Sequence, residues 1–247
     1  MAKNRRKKWR LYQFLVACGA VKSKSDAALL AHSGKITVNG AVMESLHFQI
    51  HPFKDEVQVK GKKIEMKENR RYFVLNKPYG VETTKQNMLR FIRNRVGAEE
   101  LHSFAPVGRL DKNTTGLLIL TNDGRIGKRI LDPKTKRLKV YVAKVKGMVT
   151  PAQARSLRNG VVIDVDGARY KTLPAVVDVV RADARSSILT IEIYEGKKRQ
   201  VRKMCEAVEH PVVMLKRVAI AKLRLSGLQD GAVKEYSKET MYKLLFE

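Results

Sequence analysis

The stretch from Val107 to Gly124, VGRLDKNTTGLLILTNDG, constrains the fold more than any other part of this sequence. Its apolar run, Leu117 to Leu120, is too short and too uniformly apolar for a surface helix. Because a glycine precedes the run and Asn-Asp-Gly follows it, the run is predicted to be a buried strand. Arg109 and Asp111 lie just before this strand, where a rigid scaffold can aim a reactive acid.

The charge of the chain predicts a polyanionic partner. The 247 residues include 50 lysines and arginines against 24 aspartates and glutamates, which gives a formal net charge of +26 at pH 7. A field of that sign attracts polyanions, and nucleic acid is the commonest of them. A hydrophobic content of 44% leaves enough apolar side chains for one large domain and one small one. We expect a monomer that binds nucleic acid and does not bind a membrane.

The sequence predicts neither a metal site nor a cofactor. Cys18 and Cys205 each fall on the apolar face of a predicted helix, which favours buried thiols over a disulfide or metal ligands. The five histidines show no ligand spacing, and no phosphate loop or dinucleotide motif is present. The basic start followed by LYQFLVACGAV imitates a signal peptide, but this stretch is amphipathic with helical spacing. No segment approaches the roughly 20 apolar residues of a membrane span, so we expect a cytoplasmic protein.

A small α+β unit is predicted after a basic tail at residues 1–9. A helix over about 10–19 is followed by a second helix that a Ser23 cap begins, and Asn39-Gly40 joins two short strands as a hairpin. The order of these elements resembles the S-four-type RNA-binding domain of a small-subunit ribosomal protein. The resemblance implies that basic residues of this unit dock RNA by phosphate contacts, which give affinity without sequence choice. The candidates are Arg10, Lys22, Lys24 and Lys35.

The charged residues 61–71 lack periodicity and are interpreted as a linker, which gives domains at 10–66 and 67–247. The second domain carries both strand and helix signals along its length. Strands are predicted at about 72–76, 117–120, 138–149, 161–165, 169–180 and 186–194, with two more strands and a turn within 212–231. Helices are predicted at about 88–96, 124–131, 150–160, 199–208 and after Ser237, with Thr150 and Ser237 as caps of the helices that follow them.

Four motifs of the second domain together resemble the pseudouridine synthases, in particular the group named for RsuA. They are the central GRLD string with its TTGLLILTNDG continuation, NKPYG at 76–80, KVY at 139–141 and EGKKRQVRKM at 195–204. Two positions depart from the pattern, because Glu209 and Ala221 stand where the group usually has glycine. The departures put local turn geometry in doubt rather than activity.

The resemblance implies a fold, a site and a reaction. The implied fold class is α+β, with a mixed, mainly antiparallel sheet flanked by helices in the second domain. Asp111 is the expected catalytic carboxylate, Arg202 the arginine that pairs with it, and Tyr141 the residue that stacks on uracil and assists removal of the C5 proton. The expected substrate-binding residues are Arg109, Lys77, Lys139, Arg199 and Gln200. The reaction breaks the N1–C1′ glycosidic bond of uridine and rejoins the base through C5. Whether the carboxylate attacks C1′ or removes a proton at C2′ is open.

Each motif taken singly has a plainer interpretation: a surface Arg-Asp pair, a core tyrosine or a solvated basic helix face. For the whole chain the expected function is isomerisation of a specific uridine in RNA, with ribosomal RNA favoured and transfer RNA or another structured RNA possible. The alternative is a non-catalytic RNA-binding or ribosome-assembly factor on the same fold. A general nucleic-acid-coating protein would explain the charge but not the GRLD motif.

Overall fold

The computed structural model describes residues 9–52, 54–65 and 70–247. Backbone contacts divide the chain into two compact units, one ending at residue 69 and the other extending from Arg70 to Glu247. The basic tail expected at residues 1–9 lies outside the described residues except for Trp9. The domain boundary expected between residues 66 and 67 also lies outside them.

The first unit packs two helices against a small antiparallel sheet. Its described strands form a four-stranded sheet in the order β3-β2-β5-β6 and a separate two-stranded sheet of β1 and β4. Leu11 and Phe14 of the first helix and Ile36 of the sheet are buried in a shared core. The elements are β1 (Trp9–Arg10), α1 (Leu11–Ala17), α2 (Lys24–His32), β2 (Ile36–Val38), β3 (Ala41–Val42), β4 (Gln49–Ile50), β5 (Val57–Val59) and β6 (Lys62–Ile64).

Two local signals of the first unit are confirmed. The Ser23 hydroxyl accepts a 3.1 Å hydrogen bond from the Asp26 N–H at the start of α2. Asn39 and Gly40 have φ values of 52° and 84° between β2 and β3. Positive φ at both central residues is what a two-residue hairpin of this type requires. Helix capping and the hairpin turn therefore follow from these few residues alone.

The prediction of a linker over residues 61–71 is wrong for residues 62–64. Lys62–Ile64 forms strand β6, which pairs antiparallel with β5 in the small sheet. Lys60 and Gly61 have φ values of 50° and 73° and make the hairpin turn between the two strands. A strand of three residues is too short for an alternating pattern to emerge from the sequence. Its existence depends on the neighbouring strand.

The second unit is a large sheet with helices on both faces. Its described elements are β7 (Tyr72–Lys77), α3 (Lys85–Leu89), α4 (Ala98–Leu101), β8 (Ala105–Pro106), β9 (Thr114–Thr121), α5 (Gly124–Leu131), a 3-10 turn (Pro133–Thr135), β10 (Lys139–Lys146), α6 (Pro151–Asn159), β11 (Val162–Val165), β12 (Ala168–Lys171), β13 (Val176–Ala182), β14 (Ser186–Ile193), α7 (Gln200–Glu206), β15 (Val212–Ile220), β16 (Leu223–Arg224), β17 (Val233–Tyr236) and α8 (Lys238–Phe246).

The main sheet confirms the expected fold class. Seven strands lie in the order β13-β14-β10-β15-β9-β7-β17, with β16 added beside β15 and β8 beside β9. Strands β9 and β15 run parallel, and the other pairs described in this sheet are antiparallel. Helices α6 and α7 cover one face of β10 and β14, through buried side chains such as Leu157 and Met204. The sheet is therefore mixed, mainly antiparallel and flanked by helices.

Several boundaries within the second unit differ from expectation. The helix expected at 88–96 is α3, Lys85–Leu89, because the Thr84 hydroxyl caps it by accepting the Asn87 N–H. The strand expected at 169–180 is two strands, β12 and β13, since Pro174 separates them and cannot donate to a ladder. Strands β11 and β12 form a separate two-stranded sheet rather than extending the main one.

The two residues that replace the expected glycines keep the glycine-like backbone. Glu209 has a φ of 68° after α7, and Ala221 has a φ of 49° between β15 and β16. Non-glycine residues in this region cost about 1–2 kcal/mol each. Glu209 and Ala221 therefore strain the two turns in which they lie.

Candidate active site

Asp111 lies in the loop between β8 and β9 and is partly exposed. The loop is fixed by the segment that follows β7. The Thr83 hydroxyl donates to the Leu110 carbonyl oxygen at 2.6 Å and accepts from the Leu110 N–H at 3.2 Å. The Gly80 N–H donates to the Lys112 carbonyl oxygen at 3.0 Å. The residues on both sides of the carboxylate are thus held by a neighbouring segment, which fixes the position of Asp111.

Lys77 supports the backbone around this loop, and its expected contact with substrate stays a prediction. Its side chain is fully buried, and its ammonium group donates to the carbonyl oxygens of Pro78 at 3.0 Å, Val81 at 2.7 Å and Lys112 at 3.4 Å. Burial lowers the pKa of Lys77 to about 8, and the negative charge of Asp111 acts in the opposite direction. Lys77 therefore places a positive charge near Asp111 while its hydrogen bonds go to the backbone.

Arg202 from α7 reaches the same loop. Its two terminal nitrogens donate to the carbonyl oxygens of Val212 at 3.1 Å and Asn113 at 2.7 Å, and its Nε is buried without a hydrogen-bond partner. Burial and the charge of Arg199 lower the pKa of Arg202, and the charge of Asp111 opposes them. The ion pairs of the described residues include none between Arg202 and Asp111. The two charges therefore interact without direct contact here, and the pairing that the resemblance implies stays a prediction.

A row of side chains on one face of the sheet continues from this loop. Gly116 is in register with Lys77 on one side and with Arg217 on the other, and Arg217 is in register with Tyr141. Residues directly opposite each other in neighbouring strands share a face. Gly116 has a φ of 104°, and a Cβ there would lie 2.2 Å from the Arg217 carbonyl oxygen. The glycine is therefore required where β9 passes β15.

Tyr141 and Lys139 lie on β10, separated by one residue, so both point to that face. Tyr141 is 8% exposed. Lys139 is half-buried and donates to the Arg137 carbonyl oxygen at 3.0 Å. Burial together with the charge of Arg217 lowers the pKa of Lys139 to about 8, against the opposing charge of Glu195. A tyrosine ring and two basic side chains thus meet on one part of the sheet.

The remaining sequence candidates have different roles. Gln200 is buried; its amide N–H donates to Glu195, and its oxygen accepts the Lys197 N–H at 3.0 Å, so it organises its own loop instead of contacting substrate. Arg199 is exposed and has a φ of 54° at the start of α7. Arg109 is exposed beside Asp111. The two arginines are accessible to solvent and Gln200 is not, and the substrate contacts expected of all three stay predictions.

The basic residues expected to dock RNA all lie on the first unit. Arg10, Lys22, Lys24 and Lys35 are exposed. The Lys24 ammonium group lies 5.2 Å from the centroid of the Tyr12 ring, a cation–π distance. This unit therefore presents positive charge to solvent.

An open groove of about 680 Å³ lies on the other face of β10 and β15. Exposed Tyr79 and Met214 line it, together with Asn113 of the loop that carries Asp111 and the side chains of Lys144 and Lys216. Its lining is largely apolar with basic side chains among it. Such a surface suits stacked bases with phosphates at the rim.

The described residues provide no cluster of three His, Cys, Asp or Glu side chains that could hold a metal ion. Both cysteines are free, and burial raises the pKa of Cys18 to about 11 and that of Cys205 to about 12. Within the part of the chain that the structure describes, no helix is long and apolar enough to cross a membrane.

Comparison with known proteins identifies the family. Residues 71–207 match the model of the RNA pseudouridylate synthases, a span that contains the Asp111 loop, Tyr141 and Arg202. The chain belongs to this family. It is 36% identical over 240 residues to ribosomal large subunit pseudouridine synthase B of Bacillus subtilis, covering 94% of each chain. It is 34% identical over 207 residues to ribosomal large subunit pseudouridine synthase E of Vibrio vulnificus, covering 76% of this chain and 84% of that one.

A solved structure shows the same fold. A pseudouridylate synthase crystal structure superposes with a TM-score of 0.63 at 27% identity, covering 96% of this chain and 99% of that one. The comparisons confirm the pseudouridine synthase identified from the four motifs. This pseudouridine synthase is therefore an isomerase that converts uridine in RNA to pseudouridine.

Proposed function

We propose that this enzyme isomerises a specific uridine of ribosomal RNA, with Asp111 as the catalytic carboxylate. The observation that carries the proposal is the setting of Asp111. It is a partly exposed carboxylate on a loop fixed by hydrogen bonds, and it acts electrostatically on Lys77 and Arg202 without forming an ion pair among the described residues. Its oxygens are free for substrate. The named relatives that modify large-subunit RNA support ribosomal RNA as the substrate.

Asp111 would act at the sugar of the target uridine, either on C1′ or on the proton at C2′. Both routes require the ionised carboxylate. The positive charges of Lys77 and Arg202 interact favourably with that ionised form. Because neither cation is bound to the carboxylate, neither has to be displaced when the sugar arrives.

Tyr141 would stack on the uracil ring and assist loss of the C5 proton after the base has rejoined the sugar. Assistance of this kind contributes roughly 10²- to 10⁴-fold in rate. The target nucleotide must leave its helix to reach Asp111, which costs a few kcal/mol. Exposed Arg109 would occupy the space that the flipped nucleotide leaves.

The first unit would serve as an S-four-type docking domain ending near residue 66, with the catalytic domain following. Exposed Arg10, Lys22, Lys24 and Lys35 support this role, because phosphate contacts by lysine and arginine supply affinity without selecting a base. The groove beside Asn113 would take nucleotides that flank the target. The enzyme would act as a monomer in the cytoplasm.

The experiment is tritium release from ribosomal RNA labelled at uracil C5. The C5 hydrogen must leave if C5 becomes the glycosidic carbon, so the wild type should release tritium. Asp111→Asn should release none while its affinity for the RNA stays nearly unchanged. Asp178→Asn is the matched control, because Asp178 is an exposed aspartate on β13, away from the site, and it should behave as the wild type.

A large loss of RNA binding in Asp111→Asn would contradict the catalytic role. If the wild type released no tritium from naked ribosomal RNA, assembling particles or transfer RNA, the protein would be a non-catalytic RNA-binding factor. Release from transfer RNA alone would contradict the proposal that ribosomal RNA is the substrate, but not the proposed isomerisation reaction.

A further inference from the structure

Arg217 is a buried cation that has no acidic partner among the described residues. Its side chain is 5% exposed, and its Nε donates to the Leu117 carbonyl oxygen at 2.9 Å. Its Nη2 is buried and has no hydrogen-bond partner. The ion pairs of the described residues do not include Arg217. Buried polar groups are almost always hydrogen-bonded, so an unused N–H on a buried arginine requires an explanation.

A second cation lies close to it. Lys139 is half-buried, and the charge of Arg217 acts on it unfavourably. The acid that acts on Lys139 is Glu195, whose carboxylate already accepts from Tyr170 Oη, the Leu173 N–H and the Gln200 amide. Two cations in a partly desolvated place cost stability unless negative charge compensates them. The protein itself supplies little of that charge at this point.

The two cations lie at the tyrosine end of the site. Arg217 is directly across from Tyr141 on the neighbouring strand, and Lys139 is two residues before Tyr141 on β10. The charge of Asp111 acts on a different pair, Lys77 and Arg202. The site therefore has an end with the carboxylate, suited to the sugar, and an end with the ring and two cations, suited to the base.

The reaction develops negative charge on the base. When the C1′–N1 bond breaks, its electron pair leaves with N1 and is delocalised onto the uracil carbonyl oxygens. The detached base turns, C5 donates an electron pair to C1′, the C5 proton leaves, and N1 takes up a proton. Between the two steps the base is an anion. Preorganised cations and N–H donors aimed at developing charge accelerate such a step most effectively in a site that excludes water.

We propose that Arg217, together with Lys139, binds the detached uracil anion, with Nη2 of Arg217 donating to one of its carbonyl oxygens. The inference rests on the proposed function of the site. It gives the unpartnered N–H an acceptor and gives both cations a counter-charge at the stage when the base is free. Arg217 is then a catalytic residue for the leaving base, distinct from Asp111 at the sugar.

The test compares two substrates under single-turnover conditions at saturating RNA. Fluorine at C5 stabilises the uracil anion, so fluorouridine RNA needs less help from the protein to break the glycosidic bond. Arg217→Gln should slow consumption of the uridine substrate about 100-fold, the scale for removing one such donor. It should slow consumption of the fluorouridine substrate clearly less. Mass spectrometry of digested RNA follows the loss of either nucleoside.

Lys139→Met should show the same unequal loss, and Arg217→Lys should recover part of the uridine rate. Lys222→Gln, which removes an exposed charge in the turn after β15, should leave both rates unchanged. Lys139→Met keeps the test decisive if Arg217→Gln does not fold. Equal losses on the two substrates in a folded variant would overturn the inference and assign Arg217 to holding β9 against β15. A wild type inactive on the uridine RNA would instead overturn the proposed function.

Discussion

The two ends of strand β9 carry one aspartate each, and the aspartates are used in opposite ways. Asp111 precedes the strand, is partly exposed and forms no ion pair among the described residues. Asp123 follows the strand and is fully buried. Both belong to the same short motif of the sequence. Their difference arises from what the rest of the chain places around them.

Asp123 is saturated with donors. Its carboxylate accepts from Tyr72 Oη at 2.9 Å and Tyr242 Oη at 3.1 Å, and it pairs with Arg70 and Arg125. Burial alone would raise the pKa of Asp123, but the bonds from Arg125 and Tyr72 and the charge of Arg70 lower it well below its usual value. The residue joins β7, α5 and α8.

The contrast teaches how to separate a structural acid from a reactive one in a single motif. A carboxylate whose acceptor positions are all occupied is fixed and stabilises the fold. A carboxylate whose loop is fixed but whose oxygens are unoccupied is available for chemistry. At Asp111 the neighbouring residues are constrained through Thr83 and Gly80, and the side chain is left free.

The largest expected effect is a loss of stability on removing the charge of buried Asp123, which follows β9. Asp123→Asn should lower the free energy of unfolding by about 3–5 kcal/mol, because it removes one partner from a buried charge network. Urea denaturation measures this loss. Asp111→Asn should change stability by no more than about 0.5 kcal/mol, the usual range for a surface change. Similar losses in the two variants would refute the division between a structural and a reactive acid.

A smaller effect, on the reaction rate, is expected from removing the hydrogen bonds that hold the Asp111 loop. Thr83→Val removes the hydroxyl that bonds both backbone groups of Leu110. We expect kcat to fall about 10- to 100-fold at nearly constant KM, because a slight misplacement of a reacting group has costs of this size. The control is Thr135→Val, which removes a hydroxyl bonded to the Arg129 carbonyl oxygen away from the site. A changed KM with constant kcat would show that Thr83 does not position Asp111.

The smallest effect is a difference in pH response. The pKa of Lys139 is about 8 because of burial and Arg217, so its charge is lost as pH rises through 8. The rate of isomerisation should therefore decline above pH 8, and Lys139→Met should be slower and lack this decline. The lowered pKa of Asp123 gives the opposite window: its stabilisation is present above the unfolded-state pKa of about 4 and is lost as pH falls below it.

These two windows are measured separately, by single-turnover rates from pH 6 to 9.5 and by urea denaturation from pH 3 to 7. Asp123→Asn should remove part of the loss of stability at low pH. It should not change the decline of the rate above pH 8. If Lys139→Met kept the decline above pH 8, the decline would belong to another group, and Lys77, whose pKa is also about 8, would be the next to examine.

Much of the architecture could be predicted because its signals are local. Ser23, Thr150 and Ser237 cap their helices as expected, each accepting the N–H three residues later. The apolar run of β9 is a buried strand, and Asn39-Gly40 is a hairpin turn. Strand β17 and the separation of β11 and β12 from the main sheet were not predicted, because strand pairing depends on residues far away in the chain.

The site was predicted only in part. The motifs identified Asp111, Tyr141 and Arg202, and their catalytic roles stay predictions. Lys77 and Gln200, which the motifs also identified, are buried, and their side chains form hydrogen bonds with other groups of the protein. Thr83, Arg217 and the role of Asp123 were missed. The one signal for Arg217 was a charged residue at a position of VVMLKRVAI that alternation places toward the core.

The sequence by itself determined the family, the reaction and the cluster of motifs, since these depend on which residues are present and how they are spaced. Only the tertiary structure decided which side chains have free atoms. That depends on burial and on donors and acceptors brought from distant strands, as when β15 sets Arg217 beside Tyr141 and α8 brings Tyr242 to Asp123. Whether a carboxylate is reactive or structural depends on the hydrogen-bond donors and cations around it, and those groups come from parts of the chain outside the local sequence.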